Sequence, residues 1–284
     1  MIADSELILN GDGSIYHLNL KPEDLAETII FVGDPDRVSV VSQYFDTLEV
    51  KKGKREFITH TGTLRGRRIS VISTGIGTDN IDIVINEIDA LVNIDFTTKA
   101  LKSELTSLDI IRIGTSGSIQ GNIAIGTILA SEYAIGFDAL MQYYIKPYTA
   151  IELRIKEEIA LQFPKLSFSP YVGMASERLM EKFAKDLPHG ITMTVPGFYG
   201  PQGRNVRSHN VYPDLIKTAN VFSLEGRQIT NLEMETAGMY ALANMFGHHA
   251  ISINAILASR VNEQFCENPQ EIIDNAIRWV LDRI

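Results

Sequence analysis

Asn231-Leu232-Glu233-Met234-Glu235-Thr236-Ala237-Gly238-Met239-Tyr240 reads as a strand running into an apolar helix, with two carboxylates and a thioether at the junction. This reading places Glu233 and Glu235 at the edge of a sheet. From there their oxygens face a ligand while the following apolar residues enter the core. Acids two apart around a methionine suit a sugar, since carboxylates accept hydrogen bonds from vicinal hydroxyls and the thioether packs on the apolar ring face. Taken alone, the pair is also explained by the preference of helix N-termini for acids. It gains meaning from what the other strand ends carry.

Working outward, strand-like runs alternate with helical ones. Thr28 to Val32 is a buried strand ending in the turn Gly33-Asp34-Pro35, and Asp36 begins a helix through about Tyr44. Glu56 to Thr61 and Ile69 to Thr74 read as paired strands around the solvated basic turn Arg65-Gly66-Arg67-Arg68. Thr78 or Asp79 caps a long helix with Ile81, Val84, Ile85, Ile88 and Leu91 on one face. Strands are expected at 110–113, 126–131, 189–195 and 250–258, and helices at 150–163 and 213–221. The last helix has Asn268 as N-cap, Pro269 in its first position and an apolar stripe from Ile272 to Leu281. With no repeat, low-complexity segment or linker, the expectation is a single α/β domain over 1–284, a mixed sheet flanked by helices. Such sheets bind ligands beyond the carboxyl ends of their strands.

Two of those strand ends are chemically pointed. In Ile111-Arg112-Ile113-Gly114-Thr115-Ser116-Gly117, Arg112 lies inside an apolar strand, where an unpaired guanidinium is costly; it needs an anion or a fixed carboxylate. Gly33-Asp34-Pro35-Asp36-Arg37 opens a helix, and its glycine, outward N–H groups and Arg37 suit an anion. The loop Pro196 to Arg204 joins Phe198 to an amide, Gln202, and a guanidinium, Arg204. Gln202 offers the donor and acceptor needed to read an imide edge such as that of uracil. Thr74-Gly75-Ile76-Gly77-Thr78-Asp79-Asn80 lacks the third glycine and the later acid of a dinucleotide site, which removes an NAD reading.

Composition excludes other classes. A net charge of −9 argues against nucleic acid as a partner, and no run of about 18 apolar residues predicts a membrane span. The acidic N-terminus lacks the order of a secretory signal. A single cysteine, Cys266, precludes an internal disulfide and fits a reducing cytoplasm. The six histidines give no metal spacing. His248 and His249 follow Gly247 at a helix end, where turn and dipole effects explain them.

Together the chain resembles the nucleoside phosphorylase-I superfamily, and within it the uridine phosphorylases. The matching blocks are HLNL at 17–20, GDPDR at 33–37, KREF at 54–57, STGIG at 73–77, RIGTSGSIQ at 112–120, FYGPQGR at 198–204 and NLEMET at 231–236. The resemblance implies one α/β domain with a distorted central sheet, and a homo-oligomer built from dimers, commonly a hexamer. It implies reversible phosphorolysis of a nucleoside to free base and ribose 1-phosphate. Phosphate is then a co-substrate, and no cofactor is required.

By the same resemblance, Gly33, Arg37, Arg112 and Thr115 hold phosphate, with Arg55 reaching the neighbouring subunit's phosphate. His17 crosses the dimer interface to the ribose, which Thr115, Glu233, Met234 and Glu235 also contact. Phe198 packs on the base, Gln202 and Arg204 read its edge, and Gly117 and Arg260 complete that pocket. Glu235, Arg112, Arg204 and Gln202 carry the catalysis. A potassium site at the dimer interface is implied for Glu56, Ile76 and Asn80, although Asn80 replaces the family's serine. Purine-specific members carry an aspartate after a serine in the penultimate strand; here Ser259 precedes Arg260, which points to pyrimidines. A purine nucleoside phosphorylase is the alternative, followed by a nucleosidase and a non-catalytic nucleoside-binding protein.

Overall fold

Alternation within the strand Thr28–Val32 (β1) decides the layering of the molecule. The computed structural model describes residues 1–284. Ile29 and Phe31 point into one core, Ile30 and Val32 into another on the opposite face of the sheet. The remaining elements are α1 (Pro35–Ser42), β2 (Thr47–Lys54), β3 (Phe57–Leu64), β4 (Arg67–Ser73), α2 (Thr78–Asn93), β5 (Ile94–Asp95), β6 (Ala100–Leu101) and β7 (Asp109–Ser118). There follow β8 (Ile128–Gly136), α3 (Ala150–Gln162), β9 (Tyr171–Met174), α4 (Glu177–Ala184), β10 (His189–Thr194), α5 (Leu215–Asn220) and β11 (Ser223–Leu224). The chain ends with β12 (Arg227–Glu233), α6 (Thr236–Phe246), β13 (His249–Ser259), β14 (Gln264–Phe265) and α7 (Pro269–Leu281).

The main sheet runs β11-β12-β10-β8-β13-β7-β1-β4-β3-β2. It is mixed: β4, β1, β7 and β13 are mutually parallel, whereas β8 meets β13 antiparallel. The sheet also curls back on itself. Asn231 and Leu232 of β12 pair with Ser118 and Gly117 at the far end of β7. That contact closes β7, β13, β8, β10 and β12 into a ring and brings the end of β12 to the end of β7. This is the distortion of the sheet on which the site depends.

Helices α2 and α6 cover one face, burying Ile81, Val84, Ile85, Ile88 and Leu91 of α2 beside Ala237 and Met239 to Ala243 of α6. Helices α1, α4 and α7 cover the other around Ile111, Ile113, Ile251 and Ile253. A third core joins α3 and α5 to β10 and β12. Burying such stripes supplies the main favourable term of folding.

Several expectations need correction. Neither Thr78 nor Asp79 caps α2: Gly77 occupies that position at φ 96°, a left-handed conformation that favours glycine. Asn268 is at the N-cap of α7, but its side chain bonds the Glu271 carboxylate at 3.1 Å rather than a backbone amide. Only Arg65 and Gly66 form the basic turn; Arg67 and Arg68 start β4, and Arg68 is fixed by Glu49 and two backbone carbonyls. Strand β8 begins at Ile128, two residues later than expected, and runs five residues further. Glu233 and Glu235 lie at the carboxyl end of an interior strand, since β12 has β10 on one side and β7 and β11 on its others. His248 is buried by the fold: its Nδ1 accepts from the Leu108 amide at 3.2 Å, and its Nε2 lies 3.3 Å from Asp89.

Candidate active site

The carboxyl ends of β1, β4, β7, β12 and β13 open together into a cavity of about 650 Å³. Arg112 forms its floor. Alternation along β7 sends Ile111 and Ile113 to the core under α7 and Arg112 to the opposite face, beside its cross-strand neighbour Ser252. The guanidinium folds back over Gly114, where a Cβ would lie 1.7 Å from Nη1. Glycine at 114 is therefore a steric requirement of the arginine's pose.

The sequence called for an anion or a carboxylate opposite Arg112, and the fold supplies two carboxylates. Nη2 meets Glu235 at 2.5 Å and Glu233 at 3.3 Å. Burial works against the Arg112 charge, but the two acids outweigh it and its pKa moves up. Burial pushes the Glu235 carboxyl up to about 7 against the pull of Arg112, and Glu233 adds to the rise. Glu235 also accepts from the Gly77 amide at 2.8 Å. The remaining donors of Arg112 are weakly used: Nη1 has a 3.5 Å contact with Ser252, and buried Nε has no partner.

The two acids differ in what they do. Glu233 is saturated by the protein, accepting from the Thr194 hydroxyl at 2.6 Å and from the Glu235 and Thr236 amides at 2.9 and 3.0 Å. Both carboxylates line the cavity, as the sequence led one to expect; Glu235 does so with oxygens to spare, while those of Glu233 are engaged by the protein. Met234, between them, lines the cavity.

Around this floor the structure gathers Gly33, Arg37, Thr115, Gly117, Phe198, Gln202 and Arg204 on one cavity wall or another. Asp34 caps α1 through the Asp36 amide, so the helix starts with its N–H groups at the cavity and Arg37 in the first turn. Burial pushes the Arg37 guanidinium down; Asp34 opposes this and Arg112 reinforces it. Two cations therefore face the same space, and Arg37 forms no ion pair of its own.

At the other end, the Arg204 guanidinium lies 3.8 Å from the Phe198 ring centroid and donates to the Phe198 carbonyl at 2.6 Å and to Gln202 Oε1. Burial and the nearby Arg260 push Arg204 down to about 10. Arg260 packs its stem on Gly117, whose Cβ would meet Arg260 Cγ at 3.3 Å, and donates to the Gln202 carbonyl at 2.9 Å. It backs the loop rather than lining the cavity.

Arg55 and His17 are not among the cavity residues of their own chain. Arg55 is exposed in the β2–β3 turn at φ 57°. His17 bonds Glu87 of α2 at 2.7 Å through Nδ1. Glu56, Ile76 and Asn80 cluster at Gly75, where a Cβ would lie 2.4 Å from Asn80 Nδ2 and 3.0 Å from Glu56 Cγ. Asn80 turns its amide to the Ile76 carbonyl at 3.3 Å. No group of three or more His, Cys, Asp or Glu side chains is arranged to hold a metal.

Sequence reasoning missed Thr194, Ser252, Gly77 and Gly114. Thr194 and Ser252 look like ordinary strand residues, and only the register of β10 and β13 reveals them. Gly77 and Gly114 were visible inside the STGIG and RIGTSG blocks, but no local signal says what crosses them.

The comparisons with known proteins agree with this geometry. Residues 27–282 match the family described as the phosphorylase superfamily. A uridine phosphorylase of Thermococcus kodakarensis is 30% identical over 254 residues, 89% of this chain and 80% of that protein. A DeoD-type purine nucleoside phosphorylase of Caldanaerobacter subterraneus subsp. tengcongensis is 27% identical over 86% of this chain and 88% of its own. The crystal structure of a Trypanosoma brucei nucleoside phosphorylase, reported to show uridine phosphorylase activity, superposes with a TM-score of 0.88 at 29% identity over 98% of both chains. The match spans the strand ends that deliver Arg37, Arg112, Gln202 and Glu235, and with them this chain belongs to the phosphorylase superfamily.

Proposed function

We propose that the protein is a uridine phosphorylase, cleaving uridine reversibly with inorganic phosphate to uracil and ribose 1-phosphate. The observation that carries this reading is Arg112. It is held by Glu235 through Nη2, keeps Nη1 only weakly engaged by Ser252 at 3.5 Å, and lines the same cavity as Arg37. A buried guanidinium with spare donors beside a second cation suits an anion such as phosphate.

In this reading Gly33, Arg37, Arg112 and Thr115 hold phosphate and aim one oxygen at C1′. Glu235 accepts the ribose hydroxyls, with Met234 against the sugar face. The bond from C1′ to the base nitrogen breaks, its electron pair leaving with uracil, and a phosphate oxygen forms the new bond to C1′. Positive charge building on the sugar is stabilised by phosphate and Glu235. Negative charge on the departing base is stabilised by Gln202 and Arg204, donors placed where charge develops. The reaction needs phosphate and no further cofactor; a potassium ion at Glu56, Ile76 and Asn80 is an optional addition.

Arg260 favours a pyrimidine over the purine alternative. It occupies the place of the purine-directed acid and braces the Gln202 carbonyl. Retention of Arg37, Arg55 and Arg112 opposes a water-using nucleosidase, and the intact Glu235 opposes a purely binding role. Ultraviolet-monitored turnover of uridine and inosine, each with and without phosphate, tests the reading. Phosphate-dependent loss of uridine faster than inosine is expected. Equal rates without phosphate make the protein a hydrolase, and faster inosine cleavage makes it a purine enzyme.

The oligomer belongs to the same proposal. Arg55, exposed, and His17, outside its own cavity, are donated to a neighbouring subunit's site across a dimer interface, the dimers assembling further into a hexamer. Co-expression of Arg55→Ala and Glu235→Ala subunits then restores activity, because some mixed dimers hold one intact site. Verified mixed dimers as inactive as both parents would return Arg55 to its own chain. No helix is long and apolar enough to cross a membrane, and cytoplasmic nucleoside salvage is the setting we propose.

A further inference from the structure

Helix α6 begins in an unusual way. The first N–H groups of a helix lack intrahelical partners, and the side chain at the N-cap normally satisfies one of them. Here Glu235 stands at the N-cap but makes no capping bond. Its carboxylate is turned away, to Arg112 and the Gly77 amide. Capping is delegated to two residues on neighbouring parallel strands, paired at Thr194 and Glu233.

Glu233 accepts from the Glu235 and Thr236 amides, and Thr194 Oγ1 accepts from the Ala237 amide at 3.0 Å. The same Thr194 hydroxyl donates its proton to Glu233 Oε1 at 2.6 Å. Three successive amides at the helix start are thus held by one carboxylate and one hydroxyl that also bond each other. All of these groups are buried.

We infer that Thr194 and Glu233 form a capping clasp whose role is to position Glu235 for the ribose and Arg112 for phosphate. The inference rests on the proposed phosphorolysis and assigns Thr194 a role that strand packing alone would not give it. Without the clasp, the Glu235 side chain, standing at the N-cap, is in the position from which a side chain ordinarily accepts from such amides. Capping would then compete with its bonds to Arg112 and to substrate. A carboxylate beside both partners also cannot be replaced by an amide, whose NH₂ would face backbone donors.

Thr194→Val removes donor and acceptor at nearly constant shape, Thr194→Ser retains them, and Glu233→Asp withdraws the carboxylate by one methylene while keeping its charge. Each is assayed on uridine and 2′-deoxyuridine at varied phosphate, with melting followed by circular dichroism. A displacement of about 1 Å at the reacting groups costs on the order of 100-fold. Thr194→Val and Glu233→Asp are expected to lose about that much kcat on both nucleosides alike. Nucleoside KM should move much less, and Thr194→Ser should retain most of the activity. A Glu233→Asp loss confined to uridine, sparing 2′-deoxyuridine, would make Glu233 a 2′-hydroxyl ligand and overturn the clasp. Unchanged kcat in both damaging variants overturns it too. Should Thr194→Val not fold, Glu233→Asp and Thr194→Ser still decide between these outcomes.

If the parent protein leaves uridine intact, the proposed activity fails by itself. The clasp is then read without substrate, from the Glu235 carboxyl titration in difference infrared spectra. A titration shifted by Thr194→Val supports the clasp, and an unmoved one sinks it.

Discussion

The two ends of the cavity are built on different principles. At the end proposed for phosphate and ribose, Arg112, Glu233 and Glu235 are almost fully buried and sit on a strand, a strand end and a helix start. Every one of them is fixed by main-chain amides or an ion pair. At the end proposed for the base, Phe198 keeps 52% of its surface exposed, and Arg204 stacks on its own loop. The groups proposed to carry charge in turnover sit on regular structure, where misplacement is costly. The groups proposed to recognise the base sit on a loop, where the path can change without disturbing the core.

The sharpest way to break this comparison is Arg112→Ala. It removes the guanidinium and strands two buried carboxylates, so kcat/KM for phosphate should fall by on the order of 1,000-fold. Stability should drop by roughly 3–5 kcal/mol, the usual cost of breaking a buried ion pair from one side. Steady-state kinetics and thermal melts check both. Arg112→Lys should recover little, because an ammonium cannot bridge Glu235 and an anion in the same fork. A variant with unchanged phosphate dependence would reduce Arg112 to a structural ion-pair partner.

Gly114→Ala probes the same end without touching a charge. A Cβ there meets Arg112 Nη1 at 1.7 Å, so the guanidinium must shift, and activity should fall on the order of 100-fold. Kinetics at saturating uridine and varied phosphate read the effect; normal phosphate affinity would mean the arginine has another productive pose.

The loop end should respond more mildly and more selectively. Gln202→Ala and Arg204→Met each remove a hydrogen bond proposed to the base, worth about 1.5–3 kcal/mol where charge is involved, roughly tenfold to a hundredfold. The loss should fall on uridine and spare inosine, narrowing the ratio of their kcat/KM values. Equal losses on both nucleosides would assign the loop to closure rather than recognition.

The last expected effect is read on stability alone, as a pH dependence. Burial pushes the Glu235 carboxyl up to about 7 in the folded protein, against an ordinary 4.5. Between those values the folded state binds more protons than the unfolded chain, so stability declines as pH rises through this window and levels above it. Glu235→Gln should flatten that slope in denaturant titrations at stepped pH. An unchanged slope would show that Arg112 holds Glu235 ionised throughout.

Local chemistry made much of the fold readable in advance. The apolar runs at Thr28–Val32 and His249–Ser259 and the stripe of α2 are strong periodic signals, and their elements formed close to expectation. Strand β2 escaped because Thr47–Lys54 is polar and exposed; it exists by pairing with β3 across seven register positions. Helix α4, eight residues around Leu179 and Phe183, escaped as well: a stripe that short becomes legible only against the core it covers.

By itself the sequence determined which side chains must find partners: an arginine inside an apolar strand, paired acids at a strand-to-helix junction, an amide and a guanidinium in one loop. Burial cost alone dictates that much, since a charge removed from water has to be compensated wherever it ends up. Which groups meet was decided only by the curled sheet. Closing β12 onto β7 delivers Glu235 to Arg112 across 123 residues of chain. Strand register sets Thr194 beside Glu233 and Ser252 beside Arg112. Residue type fixes the demand for a partner locally, while hydrogen-bond pairing between distant strands fixes its identity, and no local pattern encodes that.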